Sequence, residues 1–182
     1  MSSNPSSPRL KGFPPRLKDA GELRGEQWIE CAKDARWLLA QGGIAVFYGA
    51  PGTGKTRMSY ELAKLAEPRH ISIHGLHKDA PCRYTTAQRL LEESRQHFTD
   101  NDAPSERNVM DDFAQAAILV IDEIDLCIST DYGQRKIKQA VDERYQRNIP
   151  TILISNLDRK SLAKLLPAPV MDRIRECGKG YH

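Results

Sequence analysis

The sequence predicts an α/β fold in which helices cover both faces of a parallel sheet. Three observations carry that expectation. Short, unbroken apolar runs alternate with segments of helical period, as strands buried on both sides do. A glycine-rich turn stands between one such run and a helix, and a second run ends in an Asp-Glu pair. The chain has 182 residues, 40% of them apolar, which suits one domain core and not two.

The elements follow in order. Residues 1–21 are rich in Ser, Pro, Gly and basic groups, and Pro14-Pro15 bars a helix there. Met1–Lys11 is expected to be disordered, with Gly12–Ala20 an extended lead-in. From Glu22 to Ala40 the apolar residues Trp28, Ile29, Ala32, Ala35, Leu38 and Leu39 recur at helical spacing, and Gln41-Gly42-Gly43 ends the helix. Ile44–Tyr48 reads as a strand and Lys55–Ala66 as a helix, followed by a loop over 67–81. Arg83–Thr85 is an expected strand and Ala87–Phe98 a helix, with a polar loop over Thr99–Pro104. Glu106–Gln115 is a short helix, Ala117–Ile121 a buried strand, Gly133–Gln146 a helix and Thr151–Ile154 another strand. Leu162–Leu166 and Val170–Glu176 are short helices interrupted by Pro167 and Pro169.

Composition excludes some functions. The longest apolar run, Ala116–Ile121, falls far short of the roughly 20 residues that span a bilayer, so no membrane partner is expected. The N-terminus lacks a signal-peptide core. Cys31, Cys82, Cys127 and Cys177 are widely separated and form no C-x-x-C pair, which fits a reducing, cytoplasmic setting. His70, His74 and His77 lie close together, but no cysteine or carboxylate completes a metal set around them. The net charge of +3 resides in residues 1–24, where Arg9, Lys11, Arg16, Lys18 and Arg24 outweigh Asp19 and Glu22. A basic leader on a neutral body points to an anionic partner, or to a solvated tail.

Four motifs carry chemistry. Gly49-Ala50-Pro51-Gly52-Thr53-Gly54-Lys55-Thr56 matches G-x-x-x-x-G-K-[ST], between a strand and a helix as that motif requires. Its backbone N–H groups, with that of Arg57, would cradle phosphates at a helix N-terminus. Lys55 would reach the β- and γ-phosphates of ATP and Thr56 would hold Mg²⁺. About 66 residues further on, Ile118-Leu-Val-Ile-Asp122-Glu123 places two carboxylates at the C-terminal end of a strand. Asp122 would support Mg²⁺, and Glu123 would be the general base for an attacking water. Thr151-Ile-Leu-Ile-Ser155-Asn156 ends in an amide that could meet the γ-phosphate or that water. In Val170-Met171-Asp172-Arg173 the guanidinium suits a transition-state clamp supplied from a neighbouring subunit. Glu123, Asn156 and Arg173 serve hydrolysis better than transfer to a small-molecule acceptor.

In this order the motifs resemble those of a P-loop NTPase of the AAA+ class, with Walker A, Walker B, a sensor Asn and a box-VII arginine. The chain further resembles the DnaC/DnaI-type bacterial helicase loaders and the related IstB transposition ATPases. Gly12-Phe-Pro-Pro-Arg-Leu-Lys-Asp-Ala20 is similar to their lead-in, and Arg135-x-Ile137-x-Gln139-x-Val141-x-Glu143-Arg144-Tyr145 to the helix before their sensor strand. Pro150–Leu157 and Val170-Met-Asp-Arg173 are similar to their closing signature, so the likeness spans about residues 12–176. The resemblance implies an Mg²⁺-dependent ATPase that forms an ATP-dependent homo-oligomer, binds single-stranded DNA and loads a hexameric replicative helicase onto it. An IstB-like regulator of a transposase is the alternative. The expected organisation is a basic leader and lead-in over 1–21 and an ATPase domain over 22–182, compact in the manner of a phage or mobile-element protein. The family's last strand and sensor-2 arginine are expected beyond His182, leaving a module without a C-terminal lid domain.

Overall fold

The computed structural model describes residues 10–19, 25–65, 80–96 and 104–182. Among them six strands form one sheet, and every neighbouring pair runs parallel. In chain order the elements are β1 (Leu10–Lys11), α1 (Glu26–Ala40), β2 (Ile44–Phe47), α2 (Lys55–Lys64), β3 (Cys82–Thr86) and α3 (Ala87–Arg95). They continue with α4 (Glu106–Ala114), β4 (Leu119–Asp122), α5 (Asp131–Gln146), β5 (Thr151–Ile154), α6 (Arg159–Leu165), α7 (Ala168–Cys177) and β6 (Gly178–Tyr181). The spatial order is β1-β3-β4-β5-β2-β6, so β5 lies between the strand that precedes the glycine loop and the strand that ends in Asp122.

Alternation along each strand divides the core in two. Ile44, Val46, Leu119, Ile121 and Leu153 face one side, with Leu90, Phe113, Ile137 and Val170 from the helices α3, α4, α5 and α7. Ala45, Phe47, Val120, Ile152 and Ile154 face the other, with Ala35 and Leu39 of α1 and Met58 and Leu62 of α2. Burial on both faces is what removes the polar alternation from these strands. Side-chain caps set four helix starts: the oxygens of Thr86, Ser105, Thr130 and Asp158 accept from N–H groups in the first turns of α3, α4, α5 and α6.

Two expectations are corrected. Disorder does not extend through Lys11: Leu10 and Lys11 pair with Cys82 and Arg83 at the sheet edge, because β3 offers them an open ladder. Pro15–Leu17 then forms a short 3-10 turn, and Phe13 and Leu17 are buried against the α1–α2 face. A further strand forms ahead of His182, where none was expected: Gly178–Tyr181 pairs along the whole of β2. No helical lid packs on the sheet among the described residues. The leader up to Arg9 and the triplet His70, His74 and His77 lie outside the described residues, as do most of the loops expected over 67–81 and Thr99–Pro104.

Candidate functional site

Register builds the site. Phe47 pairs with Ile154, Ile121 with Leu153 and Thr86 with Asp122, so β2, β4 and β5 end together at one edge of the sheet. Ligands of open parallel sheets bind at this carboxyl edge. The glycine loop leaves β2 there. Gly49, Gly52 and Gly54 all take positive φ, which turns the chain back on itself before α2 begins at Lys55. Gly54 also lies against the ring of Trp28, where a Cβ would come within 2.8 Å of the indole.

Lys55 is only 8% exposed. Its ammonium donates to the carbonyls of Gly49 and Ala50 at 2.8 and 2.7 Å, with Thr53 Oγ1 at 3.4 Å. Burial pushes its pKa down, and the nearby charges of Asp122 and Asp125 oppose that shift. The Thr56 hydroxyl donates to Asp122 Oδ2 at 2.7 Å, joining the first turn of α2 to the end of β4. Asp122 Oδ1 accepts the N–H of Glu123 at 2.8 Å. Glu123 has a left-handed backbone, φ 55°, a strained conformation for a residue with a Cβ.

Asn156 is exposed at the end of β5, and its N–H donates to Asp125 Oδ1 at 2.9 Å. The Ser155 hydroxyl donates to the same oxygen at 2.9 Å. Asp125 thus fastens the turn after β4 to the end of β5, a role the sequence reading missed. Tyr84 was missed too: its hydroxyl donates to Asp122 Oδ2 at 2.9 Å. Burial and the adjacent carboxylate push the Tyr84 pKa up, so it remains a donor. Neither residue sits in a motif, and only cross-strand register reveals them.

Two predicted site residues are engaged elsewhere. The guanidinium of Arg57 donates to the Leu17 carbonyl at 2.5 Å and pairs with Glu61. Arg173 lies on α7 against α5, its Nε 3.6 Å from Asp142 Oδ1 and its guanidinium 4.3 Å from the Tyr145 ring centre. The structure therefore gathers Lys55, Thr56, Asp122, Glu123 and Asn156 along one edge and gives Arg173 partners on a helix.

The donor set fits Mg²⁺ and a nucleotide. A loop of positive-φ glycines at a helix N-terminus suits phosphate, and the hard oxygens of Thr56 and Asp122 suit Mg²⁺. No group of three or more His, Cys, Asp or Glu that could hold a metal forms among the described residues, so such a cation would share its shell with phosphate oxygens. A separate cleft of about 660 Å³ lies between α3 and α4. Its buried Arg83 is already paired with Asp112 and Glu93.

Residues 45–177 match the family described as "ATPase family associated with various cellular activities (AAA)". The chain belongs to the AAA ATPase family. Relatives of this AAA protein include the replicative helicase loader DnaC of Escherichia coli strain K12, 30% identical over 136 residues. That match covers 74% of this chain and 51% of the relative. DnaC of Buchnera aphidicola from Acyrthosiphon pisum, strain APS, is 29% identical over 130 residues, 71% of this chain and 49% of the relative. The chain thus spans about half the length of the curated relatives it matches. Among solved structures, the DnaC helicase loader superposes with TM-score 0.65 at 20% identity, covering 92% of this chain and 98% of that one. AMPPCP-bound DnaA from Aquifex aeolicus gives TM-score 0.69 at 17% identity, over 94% of this AAA chain and 51% of that chain. These likenesses show the AAA+ parallel-sheet fold. No helix among the described residues is long and apolar enough to cross a membrane.

Proposed function

We propose that this chain binds and hydrolyses ATP with Mg²⁺ and uses the cycle to load or remodel a hexameric replicative helicase on single-stranded DNA. One observation carries the ATPase reading. The Thr56–Asp122 hydrogen bond joins the phosphate loop's helix to the acidic strand, across 66 residues, beside the buried ammonium of Lys55. The helicase reading is supported by the similarity to DnaC loaders.

In this reading the loop N–H groups and Lys55 bind phosphates, the ammonium exchanging the carbonyls of Gly49 and Ala50 for phosphate oxygens. Thr56 and Asp122 hold Mg²⁺, which when bound supplies charge stabilisation to the phosphoryl oxygens. Glu123 takes the proton of the attacking water, and Asn156 orients that water. Arg173 acts in trans: at 3.6 Å its pairing with Asp142 is too long for a hydrogen bond, so a neighbouring subunit's phosphates compete well for it. Hydrolysis then depends on a homo-oligomer.

The test is to mix the protein with its source's replicative helicase and weigh the complex with ATP, with ADP and without nucleotide. A complex that forms or dissolves with nucleotide state is expected. Lys55→Ala should abolish ATP binding, and Glu123→Gln should keep ATP and trap the assembly. A helicase that never associates, whatever the nucleotide, overturns the loading function. Intact ATP binding by Lys55→Ala overturns the site.

A further inference from the structure

We propose that Tyr84 is a positioning residue for the Asp122 carboxylate, and that the lead-in ahead of α1 holds Tyr84 in place. This rests on the Mg²⁺-ATP reading of the site and adds a control point to it. Three donors fix Asp122: the Thr56 hydroxyl and the Tyr84 hydroxyl on Oδ2, and the Glu123 N–H on Oδ1. Thr56 is itself called on by the cation, and the Glu123 N–H comes from the adjacent residue. Tyr84 is the donor from outside, reaching over from β3.

The lead-in packs on this tyrosine in three ways. Leu10 and Lys11 extend the sheet beside Cys82 and Arg83, the two residues before it. Gly12 presses on the Tyr84 carbonyl so closely that a Cβ there would lie 2.3 Å from the oxygen. The Phe13 ring then meets the Tyr84 ring at 5.2 Å and, edge-on, that of Tyr60 in α2 at 5.4 Å. Arg57 of α2 anchors the far end of the lead-in through the Leu17 carbonyl. A pull on the chain ahead of Leu10 is thereby passed through the touching rings of Phe13 and Tyr84 to the oxygen that Thr56 also uses. Freed of this hold, the carboxylate can turn about its last torsion, and the metal-holding geometry loosens.

Tyr84→Phe separates this role from packing, because it keeps the ring and removes one oxygen. Binding of the slowly hydrolysed analogue ATPγS would be followed by calorimetry in EDTA and across a magnesium titration. The expected result is unchanged affinity in EDTA and a half-saturating Mg²⁺ concentration raised about fivefold or more. Phe13→Leu should shift the magnesium curve in the same direction, and the double variant should add nothing to Tyr84→Phe. A magnesium curve that stays within twofold of wild type in Tyr84→Phe, or an equal loss in EDTA, overturns the proposal while leaving ATP binding intact. If Tyr84→Phe does not fold, Phe13→Leu decides alone by the same curves. A wild-type chain that binds no nucleotide overturns the ATPase reading and this inference together.

Discussion

Glu123 carries a cost that its proposed chemistry explains. A left-handed backbone at a glutamate is disfavoured by about 1 kcal/mol or more, and glycine would relieve it. Glu123→Gly should therefore stabilise the domain by roughly 0.5–1 kcal/mol, seen as a higher melting temperature. It should also abolish ATP turnover while ATP still binds. A lower melting temperature would show that the carboxylate, and not the backbone, sets the local energy. Arg173 makes the opposite case, since its pairs are long and partly solvated. Arg173→Ala should change stability by less than about 1 kcal/mol. Its turnover should fall most at protein concentrations where the wild type assembles, and full activity there would remove it from the reaction. Lys55, Thr56, Asp122 and Glu123 were legible because their chemistry is written in contiguous residues at a required spacing. Tyr84, Asp125 and Ser155 were not, because each acts across a strand boundary, and partner choice there depends on register.

At the scale of elements, β6 shows where hydrophobic patterning runs out. Gly-Lys-Gly-Tyr has no apolar alternation, so nothing local announces a strand; the open edge of β2 makes it one. Its one large anchor is Tyr181, stacked on Phe47 and donating from its hydroxyl to Asp34 of α1 at 2.6 Å. That hydrogen bond, with those from Lys179, holds the Asp34 carboxyl below its usual pKa. A carboxylate depressed in the folded state stabilises fully above its unfolded value, near 3.8, and the contribution disappears as pH falls through the lower folded value. The melting temperature of wild type should thus fall more steeply below about pH 4 than that of Asp34→Asn. Parallel curves would detach Asp34 from the strand's stability. The lead-in was legible as a segment through its prolines and its family likeness. That it would become an edge strand was not legible, because two residues carry no period.

At the scale of the molecule, Arg144 joins what the sheet alone does not. It is fully buried, yet its hydrogen bonds among the described residues go to neutral oxygens. Its guanidinium donates to the carbonyls of Phe113, Ala114, Ala116 and Pro150 and to the Thr151 hydroxyl. The carbonyls at the end of α4 supply the negative end of a helix dipole, which offsets the missing counter-ion. Burial pushes its pKa down to about 9, so it stays charged at neutral pH. Arg144 was visible only as part of a family-like helix; its reason is that α4, β4 and β5 begin or end around one side chain. Arg144→Met removes all five of these hydrogen bonds at once and should destabilise by about 3–5 kcal/mol, read from the denaturant midpoint. Arg144→Lys should restore little, since one ammonium cannot span the set. A shift under about 1 kcal/mol would make the guanidinium incidental.

The strand order also sets a timetable for synthesis. β2, which launches the phosphate loop, pairs only with β5 and β6, more than a hundred residues later in the chain. On the ribosome it is made early and then waits, its ladder edges unmatched, until Thr151–Ile154 emerges. β3 and β4 can pair well before that. The nucleotide pocket therefore cannot close until β5 has been made, and a nascent chain stalled before it holds an apolar strand with no completed pocket to bind ATP.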